Sequence, residues 1–266
     1  MRSSWKLGRF AGIDVYLHPT FLLLLAFFAF SDGGLGSLSM VIAAFSCVLL
    51  HEYGHALAAR RFGIETEDIT LYPIGGVARL RRMPRAPGVE IVVALAGPAV
   101  NVAIMAGLLA LGVSGLVPPD SPAARFGWGL FAINLMLAGF NLIPAFPMDG
   151  GRVFRALLSG WIGRLKATAI AAGLGRGLAV LFGVWCVTQS MWPQAALALF
   201  IYWAAGAELA SVVADEYRRR AERFEGDSGS WDSPPGYRWV QRGQGVWFLA
   251  PVVVASGGPR SRPGWR

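Results

Sequence analysis

"SCVLLHEYGHALAARRFG", residues 46–63, decides how the rest of the chain is read. An apolar run leads directly into His51, Glu52 and His55. Ionisable groups inside a membrane span cost about 2.5–3.5 kcal/mol each on insertion scales and are functional by default. Residues four apart share a helix face, so His51 and His55 aim two imidazoles at one place. Imidazole nitrogen binds zinc at about 2.0–2.1 Å. Glu52 is offset by one position, so it lies beside that place and can take a proton from water there. This is the HExxH arrangement, with the Glu as general base. A purely packing role for the trio is the weaker reading, because polar contacts between spans normally use Ser, Thr or Asn.

The composition supports a membrane setting. Of 266 residues, 55% are hydrophobic and 15% charged, against about 25% charged in a soluble domain. Apolar segments lie at 17–31, 38–58, 89–112, 127–147, 173–190 and 193–213. A span needs about 20 residues, so the first and fifth are short. Arg176, inside the fifth, is expected to snorkel or to mark a later start. Of the 24 Lys and Arg, all but Arg125 fall at the N-terminus, between segments two and three, between four and five, or after six; Arg125 alone lies on the opposite side. This positive-inside pattern places both termini in the cytoplasm. The net charge of +8 and pI near 10.2 then report membrane orientation, and no nucleic-acid partner is expected. Cys47 and Cys186 lie in different apolar segments without CxxC spacing, so neither a disulfide nor a cysteine ligand is expected. The basic, then apolar, start resembles a signal peptide, but no small-residue cleavage site follows "FFAFSDGG", and a retained span is expected. Arg-over-Lys usage with abundant Ala and Gly points to the cytoplasmic membrane of a bacterium.

The expected fold is an all-α multi-pass membrane protein. It has about six transmembrane helices and a small membrane-associated β segment between helices two and three. Residues 1–16 read as a short amphipathic lead-in. "IETEDITLYPIGGVARLRRMPRAPG", residues 64–88, reads as extended chain with a turn at Gly75-Gly76. Residues 1–213 form the transmembrane core. Residues 214–236 are a charged and Gly/Ser/Pro linker, and residues 237–266 a short tail with a possible hairpin around Gly243 to Gly245, partly disordered.

A catalytic zinc takes three protein ligands and one water. His51 and His55 lie toward the cytoplasmic end of the second segment, and "NLIPAFPMDGGR", residues 141–152, ends the fourth at similar depth. Pro144, Pro147, Gly150 and Gly151 break the helix there, freeing Asp149 to turn inward as the third ligand. Glu90 and Glu208 read as snorkelling boundary residues, and His18, before Pro19, as a helix-start residue.

"HEYGH" and "NLIPAFPMDGGR" together resemble the site-2 protease family of intramembrane zinc metalloproteases. "GRFAGIDVYLHPTFLLLL" (8–25), "FGIETEDITLYPIGGVARL" (62–80) and "LAGPAVN" (95–101) extend the resemblance in order to about residue 210. It implies one zinc per chain held by His51, His55 and Asp149, with Glu52 as base. It also implies that Asn141 positions substrate near the metal, and that Gly75 and Gly76 belong to a membrane-associated β structure beside the site. The family usually has Leu where Met148 stands, a change of little consequence. No PDZ or CBS regulatory module is recognisable. The implied partners are the lipid bilayer and a membrane-protein substrate with a transmembrane helix. A transporter would spread polar groups over several spans with access from both sides. A catalytically silent adaptor has no need of the intact His, Glu, His and Asp set. A membrane protease that trims lipidated C-termini takes a Glu as third ligand.

Overall fold

The computed structural model describes residues 4–31, 34–81, 86–227, 233–241 and 247–252, excepting the side chains at 80, 220 and 222–227. The chain divides into two compact units, Met1–Val213 and Ala214–Arg266.

The first unit opens with strands β1 (Trp5–Phe10) and β2 (Ile13–Leu17), followed by helices α1 (Pro19–Ala29) and α2 (Gly34–Arg61). A second strand pair, β3 (Thr66–Tyr72) and β4 (Gly75–Leu80), precedes α3 (Pro87–Val113) and α4 (Pro122–Asn141). Helices α5 (Asp149–Ile162), α6 (Arg164–Thr188) and the part of α7 (Trp192–Asp227) up to Val213 complete it. Five helices, α2, α3, α4, α6 and α7, are long and apolar enough to cross a membrane, so the chain is a multi-pass membrane protein. The apolar segment at 17–31 forms only the 11-residue α1, about 16 Å long and short of a full span. It packs on α2, with Phe21 edge-on to Phe45 at 4.5 Å between ring centroids.

The four strands make one sheet in the order β1-β2-β3-β4, with β2 and β3 parallel and the other pairs antiparallel. Residues 5–10 and 13–17 are therefore strands, where the sequence reads as a lead-in over 1–16. The partner of β2, β3, lies some fifty residues away, across α1 and α2, so no local pattern announces that pairing. The β1–β2 turn uses Ala11 (φ 49°) and Gly12 (φ 83°). The Gly-Gly pair does not form the β3–β4 turn: that turn falls at Pro73-Ile74, and Gly75 and Gly76 open β4, opposite Tyr72 and Leu71. Alternate residues of a strand face one side. Ile13 and Ile69 accordingly pack on Ala56, with Leu49 and Tyr53 alongside. The sheet thus sits against the C-terminal half of α2, the half that carries the HExxH residues.

After α4 the chain departs from the simplest expectation. The helix stops at Asn141, the turns of 142–148 follow, and a separate helix, α5, starts at Asp149. A Cβ at Gly150 would collide with the carbonyls of Leu142 and Ile143, and one at Gly151 would lie 2.7 Å from Ala145 O. The two glycines let the 142–148 turns fold back over the start of α5. Phe146 is locked in place by α6, its N–H donating to Ala171 O at 3.2 Å.

Glu90 and Glu208 do not snorkel. Arg155 of α5, 1% exposed, pairs with Glu90 of α3 and, at 2.9 Å, with Glu208 of α7. Arg164 of α6 reaches Glu90 at 3.0 Å. A buried ion cluster therefore ties four helices together, with the Arg155 guanidinium 4.8 Å from the Phe146 ring centroid. Two acids and two guanidiniums satisfy one another, which is the condition for charge to survive out of water. Arg176 is mid-helix in α6 and lays its guanidinium over Tyr202 of α7 at 5.1 Å. Cys47 and Cys186 are buried free thiols.

In the second unit the charged stretch from Ala214 to Asp227 is helical, as the end of α7. Strands β5 (Tyr237–Gln241) and β6 (Trp247–Pro251) form an antiparallel pair. The expected turn around Gly243 to Gly245, and the tail from residue 253, lie outside the described residues.

Candidate metal centre

His51 and His55 sit one helical turn apart on α2, 5% and 6% exposed. Their rings stand edge-to-face, 85° apart, with centroids 4.7 Å apart. Gly54 between them allows α2 to approach α3 closely, since a Cβ there would come within 2.6 Å of Ala96 O. Small residues permit such close approach in membrane helices. Across from the imidazoles lies Asp149, 8% exposed, on the first turn of α5.

Three ligand-type atoms converge. His51 Nε2 is 3.2 Å from Asp149 Oδ2, His55 Nε2 is 3.0 Å from the same oxygen, and the two Nε2 atoms are 3.1 Å apart. His55 Nδ1 is 2.7 Å from Val93 O, which can only accept, so Nδ1 carries the proton and Nε2 keeps its lone pair. His51 Nδ1 lies 2.6 Å from Asn101 Oδ1. With both rings neutral and donating outward through Nδ1, two lone pairs and a carboxylate oxygen face one another without a donor among them. A cation reconciles that arrangement. Zinc with tetrahedral bonds of about 2.0–2.1 Å separates its ligands by roughly 3.3 Å, close to the observed spacings. The residues fit zinc.

The backbone also leaves space for a metal. A Cβ at Gly97 of α3 would strike His55 Nε2 and lie 2.7 Å from His51 Nε2. A methyl group would therefore occupy the point of convergence. Overpacking of this kind costs about 1–3 kcal/mol. Gly97→Ala is expected to weaken zinc binding about 10–100-fold, measured by chelator competition.

Glu52, next to His51 on α2, also meets the sheet, where a Cβ on Gly76 would sit 2.7 Å from its Cγ. Gly75 (φ 143°) adopts a backbone conformation that favours glycine. The structure thus brings His51, His55 and Asp149 together and sets Gly76 against Glu52. Asn141 is the half-buried last residue of α4. Apart from the imidazoles themselves, the side chains among the described residues with a polar atom within 3.2 Å of a His51 or His55 ring nitrogen are those of Asn101 and Asp149. His18 caps α1, accepting from Thr20 N at 3.3 Å, and stacks on Tyr72. Gly97, Asn101 and Asn134 were not singled out from sequence. An Asn inside an apolar span is a signal of the same kind as His51, and "LAGPAVN" and "FAINLML" both display it.

The sequence model described as Peptidase family M50 matches residues 39–119 and 119–184. Zinc metalloprotease MJ0392 of Methanocaldococcus jannaschii is 37% identical over 211 residues, covering 78% of this chain and 61% of its own length. Rip3 of Mycobacterium tuberculosis is 35% identical over 195 residues, covering 66% of this chain and 48% of its own. The chain thus spans about half to three-fifths of the length of these relatives. The solved site-2 protease from Methanocaldococcus jannaschii superposes with a TM-score of 0.62 at 36% identity, covering 77% of this chain and 95% of that one. With zinc metalloprotease relatives and a His-His-Asp cluster that fits the ion, the cofactor is zinc, and the chain belongs to Peptidase family M50, the site-2 protease family.

Proposed function

We propose that the chain is a zinc-dependent intramembrane endopeptidase. It hydrolyses a peptide bond within or near a transmembrane segment of another membrane protein, as a step of regulated intramembrane proteolysis. The observation that carries this reading is the convergence of His51, His55 and Asp149, their ligand atoms within 4.8 Å of one another, in a chain with five helices long and apolar enough to cross a bilayer. In this reading His51, His55 and Asp149 hold one zinc per chain and Glu52 is the general base. The metal supplies Lewis acidity and a water acidified toward neutral pH. Glu52 takes the proton of the attacking water and passes it to the leaving amine. Asn141, at the end of α4, steadies the substrate carbonyl.

A substrate helix hides its peptide bonds behind its own hydrogen bonds, so it must unwind, and unpaired backbone groups are expensive in lipid. β4 pairs with β3 on one side only among the described residues, and its Gly76 touches Glu52. A substrate strand added to that edge regains its backbone bonds and lies beside the base. Bulky residues at Gly75 and Gly76 are expected to reduce cleavage about 5- to 150-fold, through a cost of about 1–3 kcal/mol, with zinc content unchanged. Undiminished cleavage removes β-addition from the mechanism.

The distribution of basic residues supports a reading in which both termini and the sheet lie on the cytoplasmic side of a cell membrane, bacterial by the composition. Residues 1–213 serve as the protease core, with 214–236 and 237–266 as appended linker and tail. The decisive test reconstitutes the chain in liposomes with single-span substrates. Fragments cut inside the apolar segment, lost on chelation and restored by zinc, are the expected result. Cuts confined to soluble flanks would overturn the intramembrane assignment.

A further inference from the structure

Behind His51 a chain of buried amides runs away from the metal. Asn101 of α3 and Asn134 of α4 are both 0% exposed. Asn101 Oδ1 is 2.6 Å from His51 Nδ1, and Asn101 Nδ2 donates to Asn134 Oδ1 at 2.8 Å. Asn134 Nδ2 donates to Leu130 O at 2.8 Å and to Cys47 Sγ at 3.3 Å. The far anchor, a backbone carbonyl, can only accept. Asn134 must therefore turn its NH₂ toward Leu130 and its oxygen toward Asn101. Asn101 must then offer its NH₂ to Asn134 and its oxygen to His51. An oxygen at that place demands a proton on His51 Nδ1, and the lone pair is left on Nε2, facing Asp149.

We infer that Asn134, acting through Asn101, is a positioning residue that sets the tautomer of His51 for metal binding, although Asn134 itself contacts none of the three proposed ligands. The inference rests on the zinc reading of the site and adds a control that the ligand set does not contain. His55 needs no such relay, since Val93 O fixes its tautomer directly. Histidine ligands commonly donate their second nitrogen to a carboxylate or carbonyl. Here an amide does this without bringing a charge into the span, but an amide has two ends and can flip. Asn134 removes that freedom. Once Asn134 is lost, Asn101 can present its NH₂ to His51 Nδ1 and select the tautomer that cannot bind through Nε2.

The test is zinc affinity, measured by chelator competition on the full chain in detergent. Asn101→Leu is expected to weaken zinc about 10–100-fold, and Asn134→Leu about tenfold. Asn101→Asp presents an acceptor at either end, so it should bind zinc at least as tightly as wild type. In that Asp background, adding Asn134→Leu should cost nothing. An equal loss from Asn134→Leu in both backgrounds would mean that Asn134 only packs helices, and would overturn the relay. Wild-type affinity in Asn101→Leu would overturn it too. A wild-type protein without zinc would sink the metal reading beneath it, a result distinct from either.

Discussion

Asp149→Ala protein is expected to lose zinc. Among the described residues its carboxylate oxygen is the one that lies near both imidazoles, at 3.2 and 3.0 Å from their Nε2 atoms, and two histidines alone do not make a catalytic zinc site. Loss of a supporting contact already costs about 10–100-fold in metal affinity, so loss of a ligand should exceed about 100-fold. Glu208→Ala is the control. Glu208 is spent on Arg155 at 2.9 Å, so this variant should keep its zinc even if it is less stable. Metal content per chain after purification measures both. A protein that keeps zinc without Asp149 and loses it without Glu208 would place the site among proteases with a Glu as third ligand.

Glu52→Gln separates chemistry from metal binding. Gln keeps the shape of the side chain and its contact with Gly76 but cannot take a proton. General acid–base groups contribute about 10²–10⁴-fold, and cleavage of a single-span substrate in nanodiscs should fall by that factor. Zinc content should stay at the wild-type level, because Glu52 is not one of the converging ligand groups. Co-expression with candidate single-span proteins extends the comparison. A fragment made by wild type and absent with Glu52→Gln identifies a substrate, whereas the same fragment from both proteins would remove Glu52 from its role.

The pair of histidines was legible because helical spacing is local. His51 and His55 must share a face whatever the rest of the chain does. Asp149 was legible because two prolines and two glycines mark the broken backbone beside it. What these residues did not reveal is the means: Gly150 and Gly151 permit carbonyl contacts with residues 142–145, and α5 starts a new helix at the carboxylate itself. The pairing of β2 with β3 was not legible, since it joins segments separated by two helices. Glu90 and Glu208 look like boundary residues one at a time. Their meaning depends on Arg155, 65 and 53 positions away in the chain. Gly97 is silent in sequence for a related reason, as its function is the absence of a side chain opposite residues of another helix.

Zinc K-edge X-ray absorption on the purified wild-type protein tests the central claim most directly. The predicted spectrum has a first shell of nitrogen and oxygen at about 2.0–2.1 Å with outer-shell scattering from two imidazoles. Sulfur at about 2.3 Å, or scattering from fewer than two imidazoles, would contradict a centre built from His51, His55 and Asp149.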